Sequence, residues 1–159
     1  MDLFIFDTNI LIDLDKYNPK IFPSLWDEII SMIEKGTLFS INEVEREISK
    51  KDDRIKKRWD EIDKNYGVFR DLSDCPNFDR YCEILQELEQ FTEFQNHGIN
   101  KEVWADPYLI AVGKVEDIIV VSGEKTTHHP TRKIPYVCER MNVTCMDLDG
   151  FMIYNKWQW

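Results

Sequence analysis

The sequence has no long apolar run, and no stretch approaches the roughly 18 residues that a membrane span needs. It opens Met-Asp-Leu-Phe-Ile-Phe-Asp, with an acid at position two and no basic region ahead of the apolar one, which is not the pattern of a secretory leader. Both absences lead to the expectation of a soluble, cytoplasmic protein with no membrane contact. Cysteine is scarce: four residues fall in two pairs, Cys75/Cys82 and Cys138/Cys145, with six residues between the members of each. A zinc knuckle wants roughly two to four intervening residues, and a disulfide framework belongs to small exported chains. Reduced, mostly buried thiols are therefore expected. Basic residues are also short, with 20 Lys and Arg against 30 Asp and Glu and a net charge of −10. That balance argues against the basic footprint by which proteins grip long nucleic acids. An acidic chain can still act on RNA when its carboxylates hold divalent cations, which then face the phosphates. Internal repeats, low-complexity stretches and interdomain linkers are missing too. The 159 residues are expected to form one domain over 1–159. A chain of this size buries about 70% of its unfolded surface without needing staples.

What is present alternates between short apolar runs and amphipathic stretches. Asp2–Phe6 ends abruptly at Asp7-Thr8-Asn9 and reads as a buried parallel strand, with Asp7 or Thr8 capping a helix from Asn9 to Leu14. A helix over Ser24–Lys35 stops at Gly36, and Thr37–Ile41 reads as a second strand. Ser40-x-x-Glu43 has the form of a capping box, which predicts a helix from there through Lys50. Charged helices follow at 51–66, ended by Gly67, and at 78–94, so that 43–94 reads as an enlarged helical segment. Pro107 after Asp106 places Asp106 at a helix N-cap. Asp117–Val121 is the clearest strand, Ile134–Met141 a short helix and Val143–Met146 a last strand before an aromatic tail. Alternation of this kind implies an α/β fold with a central parallel sheet of about four to five strands flanked by helices.

The acids fall at chosen places in that alternation. Asp7 follows the first strand, Glu124 lies three residues past the strand ending at Val121, and Asp106 opens the helix that feeds that strand. Ligands of open α/β sheets bind beyond the carboxyl ends of the strands, at the switch point. Carboxylates gathered there repel one another unless a cation joins them, and such oxygen ligands suit hard ions. A pair of Mg²⁺ or Mn²⁺ ions about 3.5–4 Å apart can activate water and stabilise both oxygens of a phosphodiester displacement.

The motifs carrying these acids resemble those of PIN domains. Phe-Ile-Phe-Asp7-Thr8-Asn9 followed by Ile-Leu-Ile is similar to the family's opening motif, and Val44-x-x-Glu47-Ile48 to its second. Ala105-Asp106 at a helix start is similar to the third, and Val-Val-Ser122-Gly-Glu124 to the fourth, where the family usually has aspartate. All four occur in order over nearly the whole chain. The resemblance implies a single PIN-like domain and a Mg²⁺- or Mn²⁺-dependent endoribonuclease, of a family frequent among bacterial toxins of toxin–antitoxin pairs. It also implies Asp7, Glu47, Asp106 and Glu124 as metal ligands, with Thr8, Asn9 and Ser122 as polar support. The implied partners are RNA and an antitoxin-like protein. Whether the chain pairs with itself stays open.

Each residue also has a plainer reading. Asp7 and Asp106 can be helix caps, Glu47 a solvated helix residue in competition with Glu43 and Glu45, and Glu124 a turn residue beside Lys125. His128 and His129 read as a surface pair with RNA contact as the alternative. Lys50, Lys51 and Arg54, continuing into Lys56-Lys57-Arg58, form the one basic concentration. It is a solvated helix face or a phosphate contact. Trp26, Trp59 and Trp104 are expected in the core, and Trp157 and Trp159 cap it or meet a partner. A PIN-fold scaffold without activity is the second reading, supported by the acidic charge and the extra methylene of Glu124. A phospho-acceptor domain lacks its second acid and its lysine, and a dehalogenase-like phosphatase would want Asp-x-Asp where Asp7-Thr8-Asn9 stands.

Overall fold

The apolar runs become strands in the computed structural model, which describes residues 2–91, 105–123 and 134–158. Strands β1 (Phe4–Phe6), β2 (Leu38–Ile41), β3 (Phe69–Arg70), β4 (Ile119–Val121) and β5 (Cys145–Met146) form one parallel sheet in the order β3-β2-β1-β4-β5. Every residue of β1, β2 and β4 is buried, as in strands covered by helices on both faces. Phe4 pairs with Leu38 on one side and Ile119 on the other, which makes β1 the centre. The chain runs outward from β1 to β2 and β3, then returns to the far side of β1 for β4 and β5. The reversal sets the switch point between β1 and β4.

Eight α-helices among the described residues cover the sheet: α1 (Thr8–Asp13), α2 (Pro23–Glu34), α3 (Asn42–Ser49), α4 (Asp53–Tyr66), α5 (Phe78–Leu88), α6 (Ala105–Glu116), α7 (Ile134–Met141) and α8 (Leu148–Tyr154). Pro23 starts α2 at the position where its missing N–H costs nothing, and Leu25, Trp26, Ile29 and Ile33 form its buried stripe. Asp52 caps α4 by accepting the Arg54 N–H, and Gly67 stops it at φ 75°, a left-handed conformation that glycine adopts without strain. Helix α6 is buried along most of its length. Gly113 lets it approach β4 so closely that a β-carbon there would stand 2.8 Å from Val143 Cγ1 and 2.9 Å from Val120 Cγ2. Phe151 of α8 closes the core, edge-on to Phe4 and Phe6 with ring centroids 5.0 Å away in each pair.

Several expectations are corrected. The segment at 43–94 is not helical throughout, because β3 lies inside it and pairs with β2 through Ser40 and Phe69. The capping box does not form: Ser40 is buried in β2 and its hydroxyl donates to the Phe6 carbonyl at 2.8 Å, so α3 begins at Asn42 without a side-chain cap. Helix α5 ends at Leu88, and the aromatic tail contains α8, capped by Asp147 accepting the Gly150 N–H. Asp117 has φ 56° and belongs to a turn, which shortens the strand expected there to β4. All four cysteines are free, but only Cys138 is buried; Cys75 ends a 3-10 turn and Cys145 lies on the edge strand, so both stay half-covered, as does Cys82. Trp26 and Trp59 are in the core with centroids 5.8 Å apart, and Trp157 packs on Phe151 at 5.1 Å. Trp104 and Trp159 lie outside the described residues. No helix among the described residues is long and apolar enough to cross a membrane.

Candidate functional site

Beyond the last pairing of β1, the Asp7 N–H continues the ladder by donating to the Val121 carbonyl at 3.0 Å. That bond fixes Asp7 at the carboxyl edge of the sheet, between β1 and β4. Its side chain then does two jobs. Oδ1 accepts the Thr8 N–H at 2.6 Å as the N-cap of α1, and Oδ2 accepts the Ser122 hydroxyl at 3.0 Å. Asp7 is 2% exposed, Thr8 3% and Ser122 1%. A carboxylate so deep is tolerable only when donors meet its charge, and here both oxygens are met. The cap reading of Asp7 is therefore correct as far as it goes, and the link to β4 adds to it.

Glu47 comes to the same place from α3, whose Val44 and Ile48 are buried in the core. Thr8 Oγ1 donates to Glu47 Oε2 at 2.5 Å, and the Ala105 N–H donates to Oε1 at 2.7 Å. Thr8 thus bonds Asp7 through its backbone and Glu47 through its hydroxyl. Ala105 is the first residue of α6, so Glu47 satisfies an otherwise orphaned donor at the positive end of that helix. This contact also explains a correction. Asp106 was expected at the N-cap with Pro107 as the first helical residue, but α6 already includes Ala105, which places Asp106 inside the first turn and half-buried. Proline is tolerated there because first-turn N–H groups lack intrahelical partners.

Ser122 and Gly123 lead towards Glu124, which lies outside the described residues together with His128 and His129. A β-carbon on Gly123 would stand 3.0 Å from Asp13 Oδ2 and 3.2 Å from Asn9 Cβ, so this loop passes close over α1. Asn9 is exposed and lies beside that loop, while Thr8 and Ser122 donate to Asp7. A cleft of about 210 Å³ opens next to Gly123, with Asp13, Lys16, Tyr17, Asp147 and Asp149 in its walls.

The basic concentration is partly engaged. Arg54 and Arg58 both bond Asp15, at 2.6 and 2.8 Å, and Arg58 also stacks over Trp26 at 5.5 Å. Lys56 pairs with Asp60 at 2.5 Å, while Lys50 and Lys51 end α3 on the surface. One turn before Glu47, Glu43 has a buried Oε2 with no hydrogen-bond partner among the described residues. Burial, and then the neighbouring Asp71, push the Glu43 carboxyl above its ordinary pKa against the pull of its own backbone N–H and Arg46.

The fold thus brings together Asp7, Thr8, Glu47 and Ser122, with Asp106 next in the chain to the Ala105 N–H that Glu47 accepts. Among the described residues, no group of three or more His, Cys, Asp or Glu side chains is arranged to hold a metal ion. Sequence reasoning missed the Ala105 N–H and the orphaned oxygen of Glu43. Backbone donors leave no mark in a residue pattern, and Glu43 was read only as a cap or as a rival to Glu47. A family model described as a domain of unknown function, DUF4411, matches residues 4–159. No curated protein matches the chain.

Proposed function

The chain belongs to the DUF4411 family, and we propose that it is a metal-dependent ribonuclease with a PIN-like active site, hydrolysing RNA phosphodiester bonds with water. The observation that carries the reading is the meeting of Asp7 and Glu47 on Thr8, at the carboxyl edge of the sheet and the first turn of α6. Residues far apart in the chain are held there by charge-assisted hydrogen bonds, which is more than helix capping requires.

The proposed ligands Asp7, Glu47, Asp106 and Glu124 are all carboxylates, a donor set that fits Mg²⁺ or Mn²⁺ by its chemistry. Such an ion, when bound, supplies an activated water and offsets the charge of the phosphate. The chain's own residues provide the rest. Ser122 and the Thr8 N–H fix both oxygens of Asp7, while the Thr8 hydroxyl and the Ala105 N–H fix Glu47. Orientation of this kind keeps acids in register, and misplacement by about 1 Å can cost roughly 100-fold in rate. Lys50, Lys51 and Arg54 are the candidates for contact with the RNA backbone, and the cleft beside Gly123 has room for part of a nucleotide.

Purified protein with Mg²⁺ or Mn²⁺ should cut single-stranded RNA. Asp7→Asn should lower cutting by more than about 100-fold while far-ultraviolet circular dichroism stays unchanged. Intact RNA with both metals over several substrates would instead favour the second reading, a PIN-fold scaffold that binds RNA or a regulatory protein. The net charge of −10 and the longer side chain of Glu124 favour that alternative. The toxin role belongs to the same proposal: induced expression should arrest growth, and Asp106→Asn should relieve the arrest.

A further inference from the structure

Glu43 lies one turn before Glu47 on α3, and residues four apart share a helix face. The two carboxylates are treated very differently. Glu47 has a donor on each oxygen, whereas Glu43 Oε2 is buried with none among the described residues. Among the described residues, the charged and titratable groups that face Glu43 are Arg46 from its own helix, Asp71 at the end of β3 and Tyr108 of α6, with Cys82 of α5 beyond Tyr108. Asp71 accepts both the N–H and the hydroxyl of Ser73, and these bonds hold its carboxyl below the usual range, so it stays ionised and repels a charge on Glu43. Arg46 is exposed, and water screens its attraction. An ionised oxygen buried without a donor is costly, and the neutral acid avoids most of that cost.

We propose that Glu43 is seated as the neutral acid, and that its ionisation loosens the first turn of α3 and with it the seat of Glu47. The new charge is repelled by Asp71 and finds no donor for Oε2 among the described residues, and rotation of that turn towards water relieves it. Helix α3 is only two turns long, so the displacement reaches Glu47 and lengthens its bonds to the Thr8 hydroxyl and the Ala105 N–H. Glu43 is then a positioning residue whose protonation sets the geometry of the acid pair. The inference rests on these contacts and not on the nuclease reading.

The test follows the Ala105 backbone amide by ¹⁵N–¹H NMR from about pH 4 to about pH 9, in the wild type and in Glu43→Gln, which keeps the shape and removes the charge. In the wild type its proton should move upfield as pH rises, with an inflection above the ordinary glutamate value of about 4.3. Glu43→Gln should lack that inflection, whereas any titration of Glu47 itself appears in both proteins and cancels in the difference. Identical curves overturn the proposal. Asp71→Asn gives a second reading at an exposed position: the inflection should move to lower pH, and an unmoved inflection also overturns it.

Discussion

Replacing Thr8 with valine removes one hydroxyl from a buried, β-branched side chain and changes its volume little. Its hydrogen bond to Glu47 ties α1 to α3. A hydrogen bond to a charged partner contributes about 1.5–3 kcal/mol. Glu47 is half-buried, so water takes up part of the loss and the lower end applies, giving a destabilisation of about 1–2 kcal/mol. At a urea slope of about 2 kcal/mol per molar, the unfolding midpoint should fall by roughly 0.5–1 M. A double-mutant cycle with Glu47→Ala isolates the pair and should return a coupling of about 1–2 kcal/mol. Thr8→Ser keeps the hydroxyl and should keep the coupling while losing a methyl. Additivity of Thr8→Val and Glu47→Ala to within about 0.5 kcal/mol refutes the link through Thr8.

Gly113→Ala sets helix propensity, about 1 kcal/mol in its favour, against contacts of 2.8, 2.9 and 3.1 Å, the last with the Ile118 carbonyl. Backbone cannot swing aside, so overpacking should win by about 1–3 kcal/mol and lower the melting temperature by several degrees in a calorimetric scan. Tyr81→Phe removes the hydroxyl that donates to Glu116 at 2.6 Å and should cost about 1–2 kcal/mol at neutral pH. The bonds from Tyr81 and then Asn77 hold the Glu116 carboxyl below its ordinary pKa. That stabilisation is present above the unfolded value of about 4.3 and fades as pH falls through the lower folded value. The gap between wild type and variant in denaturant midpoint should therefore narrow below about pH 4, and a gap that widens there contradicts the assignment.

The legible parts of the fold were those where local chemistry and tertiary demand agree. Ile134–Met141 is helical over the span its pattern predicts, and Gly67 ends α4 where its backbone allows the left-handed turn. Strand β3 was hidden because it has two residues, neither of them buried, and exists only through its pairing with β2. Helix α8 had a readable signal in Asp147 three residues before Gly150, with Leu148 and Phe151 facing the core, but the aromatic residues after it obscured the pattern. Ser40 misled because a hydroxyl able to cap a helix can equally satisfy a buried carbonyl, and burial in β2 decided for Phe6. At the site, Asp7, Thr8, Glu47 and Ser122 were all named from sequence. Their mutual bonds were not, because partners 39 or 115 residues apart carry no local spacing. Asp106 was placed at the cap because nothing in its neighbourhood reveals that Glu47 accepts the Ala105 N–H.

Calorimetric titration of the 159-residue chain with Mn²⁺ at neutral pH, wild type beside Asp7→Asn, tests the central claim most directly. The account predicts saturable binding by the wild type, weakened at least about tenfold in the variant. A wild type that takes up no ion, or a variant that binds as tightly, would contradict it.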